Sequence, residues 1–328
     1  MDIPIVDCYS ADAAAQLRKA CMEVGFFYLT DHRVPQELVE SVYHEMRLFF
    51  SKPESEKREV LADENMRGYT PMNEETLDPA VQTQGDTKEG YYICREALPD
   101  EVHLPLHGSN VFPKDNPTFR RVMEQYFDCM CELGYHVAQL FADAAGAPGA
   151  FQAAGMFDRP MAAVRLLHYN DQLSNVADGV FGAGAHTDYG LLTLLSTDGN
   201  PGLEIYHNQE WIPISPKPNT FVVNIGDLGG TYLYNVNIYI LERALERWTN
   251  GLFKSTRHRV VNRNGQERYS VPFFYEPNFT CQVTCLSSCV DAAHPPQYPP
   301  ITSGQHLLNM YRQTHDSFTE FTTQITSD

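Results

Sequence analysis

Apolar residues along this chain follow two periods, a helical one early and a strand-like one late. Residues 11–24 and 35–50 are apolar at helical spacing, the second run opening on a proline. Between them, residues 25–29 are short and aromatic and predict a strand. Residues 54–115 are charged and broken by proline and glycine, with Arg67-Gly68-Tyr69-Thr70-Pro71 predicting a turn. Residues 116–145 predict a long amphipathic helix whose core face carries Val122, Tyr126, Leu133, Val137 and Phe141. From Met161 the pattern turns to short strands, expected at 162–169, 186–196, 203–206, 210–214, 220–225, 255–261, 269–275 and 282–286. Roughly eight short strands punctuated by Gly, Pro and Asn predict a sandwich or jelly roll. A closing helix is expected over residues 303–318, and no repeat or low-complexity linker interrupts the order.

Composition narrows the class. With 328 residues, 43% of them apolar, the chain can build a sizeable core as one large domain or two smaller ones. The net charge of −18 argues against nucleic acid and anionic membrane as partners, and reads most simply as solubility. Met1-Asp2-Ile3-Pro4-Ile5 lacks the basic and apolar segments of a signal peptide, and no apolar run reaches membrane-spanning length. A soluble, cytoplasmic protein is expected. The eight cysteines are scattered and read as reduced thiols. Cys281, Cys285 and Cys289 stand four apart in a strand-like run, too far apart there for a cluster motif, and read as structural.

The chemistry concentrates in three places. Gly184-Ala185-His186-Thr187-Asp188-Tyr189-Gly190 leads into the apolar run 191–195, and on a strand His186 and Asp188 share one face. A helix would not bring them together. One imidazole and one carboxylate need a second imidazole to complete a two-His-one-carboxylate face, which leaves open positions on an iron(II). His258, in the β-like run Ser255-Thr256-Arg257-His258-Arg259-Val260-Val261, is the candidate. Ten residues on, Arg268-Tyr269-Ser270 sets a guanidinium fork and a hydroxyl on one strand face, a pair suited to a carboxylate. A metal face beside that anchor predicts a dicarboxylate co-substrate. Each residue alone reads more simply as a packed strand histidine, a turn aspartate or a surface arginine; the combination favours a site.

These elements resemble the 2-oxoglutarate- and Fe(II)-dependent dioxygenases of the isopenicillin N synthase-like group. The resemblance runs from Ile3-Pro4-Ile5-Val6-Asp7 to about Pro277 and includes Gly25-Phe26-Phe27-Tyr28-Leu29, Lys88-Glu89-Gly90-Tyr91 and Arg165-Leu166-Leu167-His168-Tyr169. It implies a mainly β protein with flanking helices and a double-stranded β-helix (jelly-roll) core. The expected regions are a helical and mixed part over 1–115, then a long support helix, core (about 161–290) and C-terminal helix over 116–328. It implies Fe(II) as cofactor, 2-oxoglutarate as co-substrate, ascorbate as a candidate reductant, and O2 and a small organic molecule as partners of a monomer. The reaction would hydroxylate, desaturate or demethylate that molecule and release succinate and CO2. Two alternatives stand beside it: a non-haem iron oxidase that does not use 2-oxoglutarate, and a binding protein of the same fold that has lost the chemistry.

On this basis His186, Asp188 and His258 are metal-ligand candidates, and Arg268, Ser270 and Tyr169 are candidates for the co-substrate. Leu167 stands where relatives often carry an asparagine that also meets it. Phe274 is a substrate-contact candidate, with Tyr69 and Tyr91 as further candidates at the pocket mouth. His168 would face away from Tyr169, and His207, His294, His306 and His315 lie in no supporting motif. One departure from the family pattern is the 16-residue segment 229–244, which separates Asn224-Ile225-Gly226-Asp227-Leu228 from Leu245-Glu246-Arg247-Trp248. It reads either as an extra hairpin or lid, or as the readthrough of an unspliced piece of gene.

Overall fold

The computed structural model of the protein describes residues 1–225, 247–253 and 255–314. The segment 229–244, Asp227 and His315 lie outside them. In chain order the strands are β1 (Ile5–Asp7), β2 (Phe26–Thr30), β3 (Gly68–Thr70), β4 (Lys88–Cys94), β5 (Pro160–Tyr169), β6 (Ala183–His186) and β7 (Leu192–Thr197). They continue with β8 (Leu203–His207), β9 (Glu210–Pro213), β10 (Phe221–Ile225), β11 (His258–Val260), β12 (Arg268–Asn278), β13 (Gln282–Val283) and β14 (Ile301–Thr302). The helices are α1 (Ala13–Glu23), α2 (Gln36–Phe50), α3 (Glu54–Lys57), α4 (Pro117–Ala144), α5 (Ala150–Ala153) and α6 (Ser303–Thr314).

Two sheets form the core. The larger has the order β1-β2-β10-β7-β12-β5-β4-β3, and the smaller runs β6-β11-β8-β9. Side chains alternate across the strands, as period two requires. Phe27 and Leu29 of β2 and Val223 and Ile225 of β10 join the cluster that also holds Leu17, Met46, Phe141 and other helical residues. Phe26, Tyr28 and Val222 turn the other way and pack with Leu203 and Ile205 of the smaller sheet. The larger sheet is thus covered on both faces, which is why Phe26-Phe27-Tyr28-Leu29 is a continuous apolar run.

The long helix begins where capping chemistry dictates. Asn116 accepts from the Phe119 N–H through its side chain, and Pro117 occupies the first turn. Its Gly134 lets the helix lie close on the sheet: a Cβ there would come within 2.8 Å of the Tyr275 ring. Along β12, Tyr269, Val271, Phe273 and Tyr275 face this helical side. Arg268, Ser270, Pro272, Phe274 and Glu276 alternate with them and line two cavities, Phe274 bordering both.

Two expectations are corrected. Residues 1–115 supply four strands of the larger sheet where one was expected. The charges of β4 hid it: Lys88 and Glu89 are buried but paired, Lys88 with Asp86 and with Glu75 at 2.9 Å, Glu89 with Lys57 at 2.6 Å. Residues 186–196, expected as one strand, are two strands of different sheets joined by residues 187–191. The break falls at Asp188-Tyr189-Gly190. Gly190 is pressed against Glu276 so closely that a Cβ would fall 1.2 Å from its Oε1.

Candidate functional site

The sheet topology brings His186 and His258 together. In the antiparallel pair β6–β11 they are direct cross-strand partners, with ring centroids 4.3 Å apart. The long stretch of sequence between Asp188 and His258 does not separate them in space. Asp188 reaches the pair from the connection between the sheets, not from a shared strand face as the sequence predicts. Its Oδ1 lies 3.7 Å from His186 Nε2 and 3.5 Å from His258 Nε2. One ligand atom from each of the three lies within 4.8 Å of the others.

Their remaining atoms are held. His186 Nδ1 meets the Gly184 carbonyl at 2.7 Å, and His258 Nδ1 meets the Thr256 carbonyl at 3.2 Å. A proton on each Nδ1 leaves each Nε2 lone pair aimed at the common point. Asp188 Oδ2 accepts from Thr193 Oγ1 and Asn224 Nδ2, both at 2.6 Å, which leaves Oδ1 for that point. Burial, and then the nearby His258, hold His186 down to about 3, so it stays a neutral donor of electron density. Burial would raise Asp188, but His258, His186 and the Asn224 hydrogen bond outweigh it and keep the carboxyl well below its usual range. Two imidazole nitrogens and one carboxylate oxygen, with one side open, suit a divalent iron.

Two cavities meet at His186 and Asp188. The inner one, about 560 Å³, is also lined by His258, Thr193, Asn224, Tyr169, Arg268 and Ser270. Its cations differ in one respect. Lys88 is paired with Asp86 and Glu75, and Arg165 with Glu75 at 2.9 Å. Arg268, buried, has no carboxylate within 4.0 Å among the described residues. Its Nη1 donates to Ser270 Oγ at 3.1 Å, its Nε has no partner among the described residues, and its guanidinium lies 4.9 Å over the Tyr169 ring. An unmatched buried guanidinium beside a hydroxyl fits the far carboxylate of a dicarboxylate. Leu167, two residues before Tyr169, is apolar and packs on Ala183 and Val260.

The outer cavity, about 960 Å³, opens on the other side of the same residues. Its apolar lining includes Met66, Tyr92, Leu106, Met161, Phe274 and Leu307. Phe274 borders both cavities. Tyr69 and Tyr91, expected at the mouth, line neither. Their rings pack on Phe49 in the core, Tyr69 donates to Glu89 at 2.6 Å, and Tyr91 donates to the Val111 carbonyl. His168 points away from the site, stacked on Tyr269 and bonded to Glu89 at 2.8 Å. Sequence reasoning missed Thr193, Asn224 and Glu276. Period two carried on from Arg268 and Ser270 reaches Glu276; no spacing rule finds the other two, which come from separate strands.

Comparison with known proteins agrees with this geometry. Residues 3–115 match the family model described as non-haem dioxygenase in morphine synthesis N-terminal, and residues 161–277 match the 2OG-Fe(II) oxygenase superfamily. The chain is 32% identical over 313 residues to azadirone synthase LFS of Melia azedarach, covering 92% of this chain and 89% of that protein. It is 35% identical over 271 residues to the 2-oxoglutarate-dependent dioxygenase caaD of Aspergillus niger, covering 80% and 78%. A full-length Neurospora crassa protein crystallised with alpha-KG superposes with a TM-score of 0.78 at 29% identity, over 94% of this chain and 95% of that one. JOX2, crystallised with 2OG, Fe and JA, superposes at 0.75 and 26% identity over 96% and 86%.

Proposed function

Because the chain belongs to the 2OG-Fe(II) oxygenase superfamily, we propose that His186, Asp188 and His258 hold its iron(II) and that Arg268, Ser270 and Tyr169 seat 2-oxoglutarate. The protein is a 2-oxoglutarate-dependent dioxygenase, an oxidoreductase that takes iron(II), O2, 2-oxoglutarate and a small organic substrate. Iron(II) held at this site would activate O2, whose four-electron reduction is shared between 2-oxoglutarate, oxidised to succinate and CO2, and the substrate, which is hydroxylated, desaturated or demethylated. The observation that carries the residue assignment is the shared inner cavity, which holds a two-His-one-carboxylate face and a buried guanidinium without a carboxylate. The alternatives of an oxidase without 2-oxoglutarate and of an inactive binding protein find no support beside it.

The roles follow from the contacts. The Gly184 and Thr256 carbonyls fix the imidazole tautomers, and Thr193 and Asn224 turn Asp188 so that one oxygen serves the metal. Arg268 and Ser270 give the co-substrate a charged, directional anchor away from the reacting end, over the Tyr169 ring. Leu167 contributes apolar wall in place of a hydrogen bond. Phe274, between the cavities, is the proposed substrate contact, and Tyr69 and Tyr91 are withdrawn from that role.

The remaining assignments rest on broader grounds. Residues 1–115 and 116–328 are proposed as the two regions of the chain, joined through one sheet. A monomer with no nucleic-acid or membrane partner is proposed on the −18 charge, and a reducing, cytoplasmic setting on eight unpaired cysteines. Among the described residues no helix is long and apolar enough to cross a membrane. Ascorbate as an accessory reductant belongs to the same proposal. His186→Ala and Asp188→Ala are expected to abolish substrate-dependent succinate formation and iron(II) binding. Full activity in either variant overturns the ligand assignment.

A further inference from the structure

The outer cavity is apolar apart from a few charged groups, most of them engaged by neighbours, although Arg67 and Arg165 each keep a buried Nε without a partner among the described residues. Arg165 is paired with Glu75, which also takes Lys88. Arg95 Nη2 donates to both carboxylate oxygens of Glu101, at 2.9 and 3.0 Å. Arg67 donates to the carbonyls of Asn65, Leu106 and Arg95 at 2.9–3.0 Å. Asp188 is committed to the iron face. Glu276 stands apart. The residue is 5% exposed, and no cation lies within 4.0 Å of its carboxyl among the described residues. Its Oε2 accepts a single bond, from the Leu191 N–H at 2.6 Å, and Oε1 lies over the bare backbone of Gly190.

A carboxylate can accept about four hydrogen bonds, and one left mostly unmet in an apolar enclosure is costly. Burial accordingly pushes the Glu276 carboxyl well above its usual range. A positively charged group that hydrogen-bonds the free oxygen would offset that penalty, since attraction is stronger where water is excluded and good geometry is what lets it outweigh desolvation. Glu276 also stands two residues from Phe274 on the same strand face, so a group bound to it lies beside the proposed contact with the substrate.

We infer that the outer cavity takes a substrate with an apolar frame and a basic nitrogen, and that Glu276 receives that nitrogen. The inference rests on the assignment of the inner cavity to iron(II) and 2-oxoglutarate, and deepens it by naming a substrate class.

Three matched probes test it: 4-phenylbutylamine, 4-phenylbutanol and 4-phenylbutyrate. Binding of iron(II) and 2-oxoglutarate is first measured by thermal shift in the full chain and in Glu276→Gln. Failure at this step counts against the inner-cavity assignment and not against Glu276. Probe affinity is then measured by calorimetry on the loaded, anaerobic protein. The amine is expected to bind about tenfold more tightly than the alcohol, a difference of about 1.4 kcal/mol, with the carboxylate weakest. Glu276→Gln keeps an acceptor for Leu191 N–H while removing the charge, so the amine-to-alcohol ratio should fall to near one. Equal binding of the probes, no binding of the amine at millimolar concentration, or an unchanged preference in Glu276→Gln overturns the inference.

Discussion

The two cavities that meet at His186 and Asp188 are walled by the same face of β12 and end in opposite charges. Among the described residues, the inner one pairs its lysine and arginines with carboxylates except at Arg268; in the outer one Glu276 is a carboxylate with no cation, while Arg67 is held by carbonyls. The comparison teaches that a buried charge is informative in proportion to what it lacks. Lys88, Arg165 and Glu75 are as deep as Arg268 and Glu276, yet with Asp86 they form ion pairs among themselves. The two left over mark where a carboxylate and a cation would be received.

The strongest way to break this contrast is Arg268→Met. Losing the unmatched cation should raise the KM for 2-oxoglutarate about thirtyfold or more, given the roughly 2–5 kcal/mol typical of such buried pairs. Succinate formation titrated against 2-oxoglutarate measures it, and a KM left near the wild-type value would make Arg268 a structural residue. Thr193→Val sharpens the picture at the boundary between the cavities. It removes one of two donors to Asp188 Oδ2, and iron(II) affinity should fall about tenfold, the lower end of what such supporting contacts contribute. A metal competition titration measures this, while the KM for 2-oxoglutarate at saturating iron should hold. If that KM moves and the affinity does not, Thr193 acts on the wrong ligand.

Glu89 provides the smallest effect on turnover, because it lines neither cavity. Burial would raise its carboxyl, but hydrogen bonds from His168, Lys57 and Tyr69 win and hold it below its ordinary value. A carboxyl lowered by folding stabilises the protein above its unfolded pKa, and that contribution is lost as pH falls through the folded value. Glu89→Gln should therefore melt a few degrees lower than wild type at about pH 7, with the gap closing under acid conditions. Melting curves from neutral to acid pH follow it. A gap that widens toward low pH would reverse the sign of the argument.

Much of this architecture is legible in the sequence. The long helix declares itself through Asn116-Pro117 and its apolar stripe, and β12 through its alternation. His186, His258, Arg268 and Ser270 can be read because their places follow from strand periodicity. Asp188 stands beside the imidazoles but off the expected strand, since an apolar run does not reveal that the chain changes sheets at Gly190. β4 stays hidden because Lys88 and Glu89 look exposed until their partners, distant in sequence, are known. Tyr69 and Tyr91 mislead for the opposite reason: a tyrosine near a motif looks available, while here both hydroxyls are occupied inside the core.

The pairing of β6 with β11 carries one more consequence. His258 faces His186 across a three-residue strand, and the register shifts at a bulge between His258 and Val260. A slip of one residue would turn His258 out and Arg259 in, exchanging an imidazole for a guanidinium at that face. The irregularity therefore helps to fix the register that sets the two imidazoles face to face.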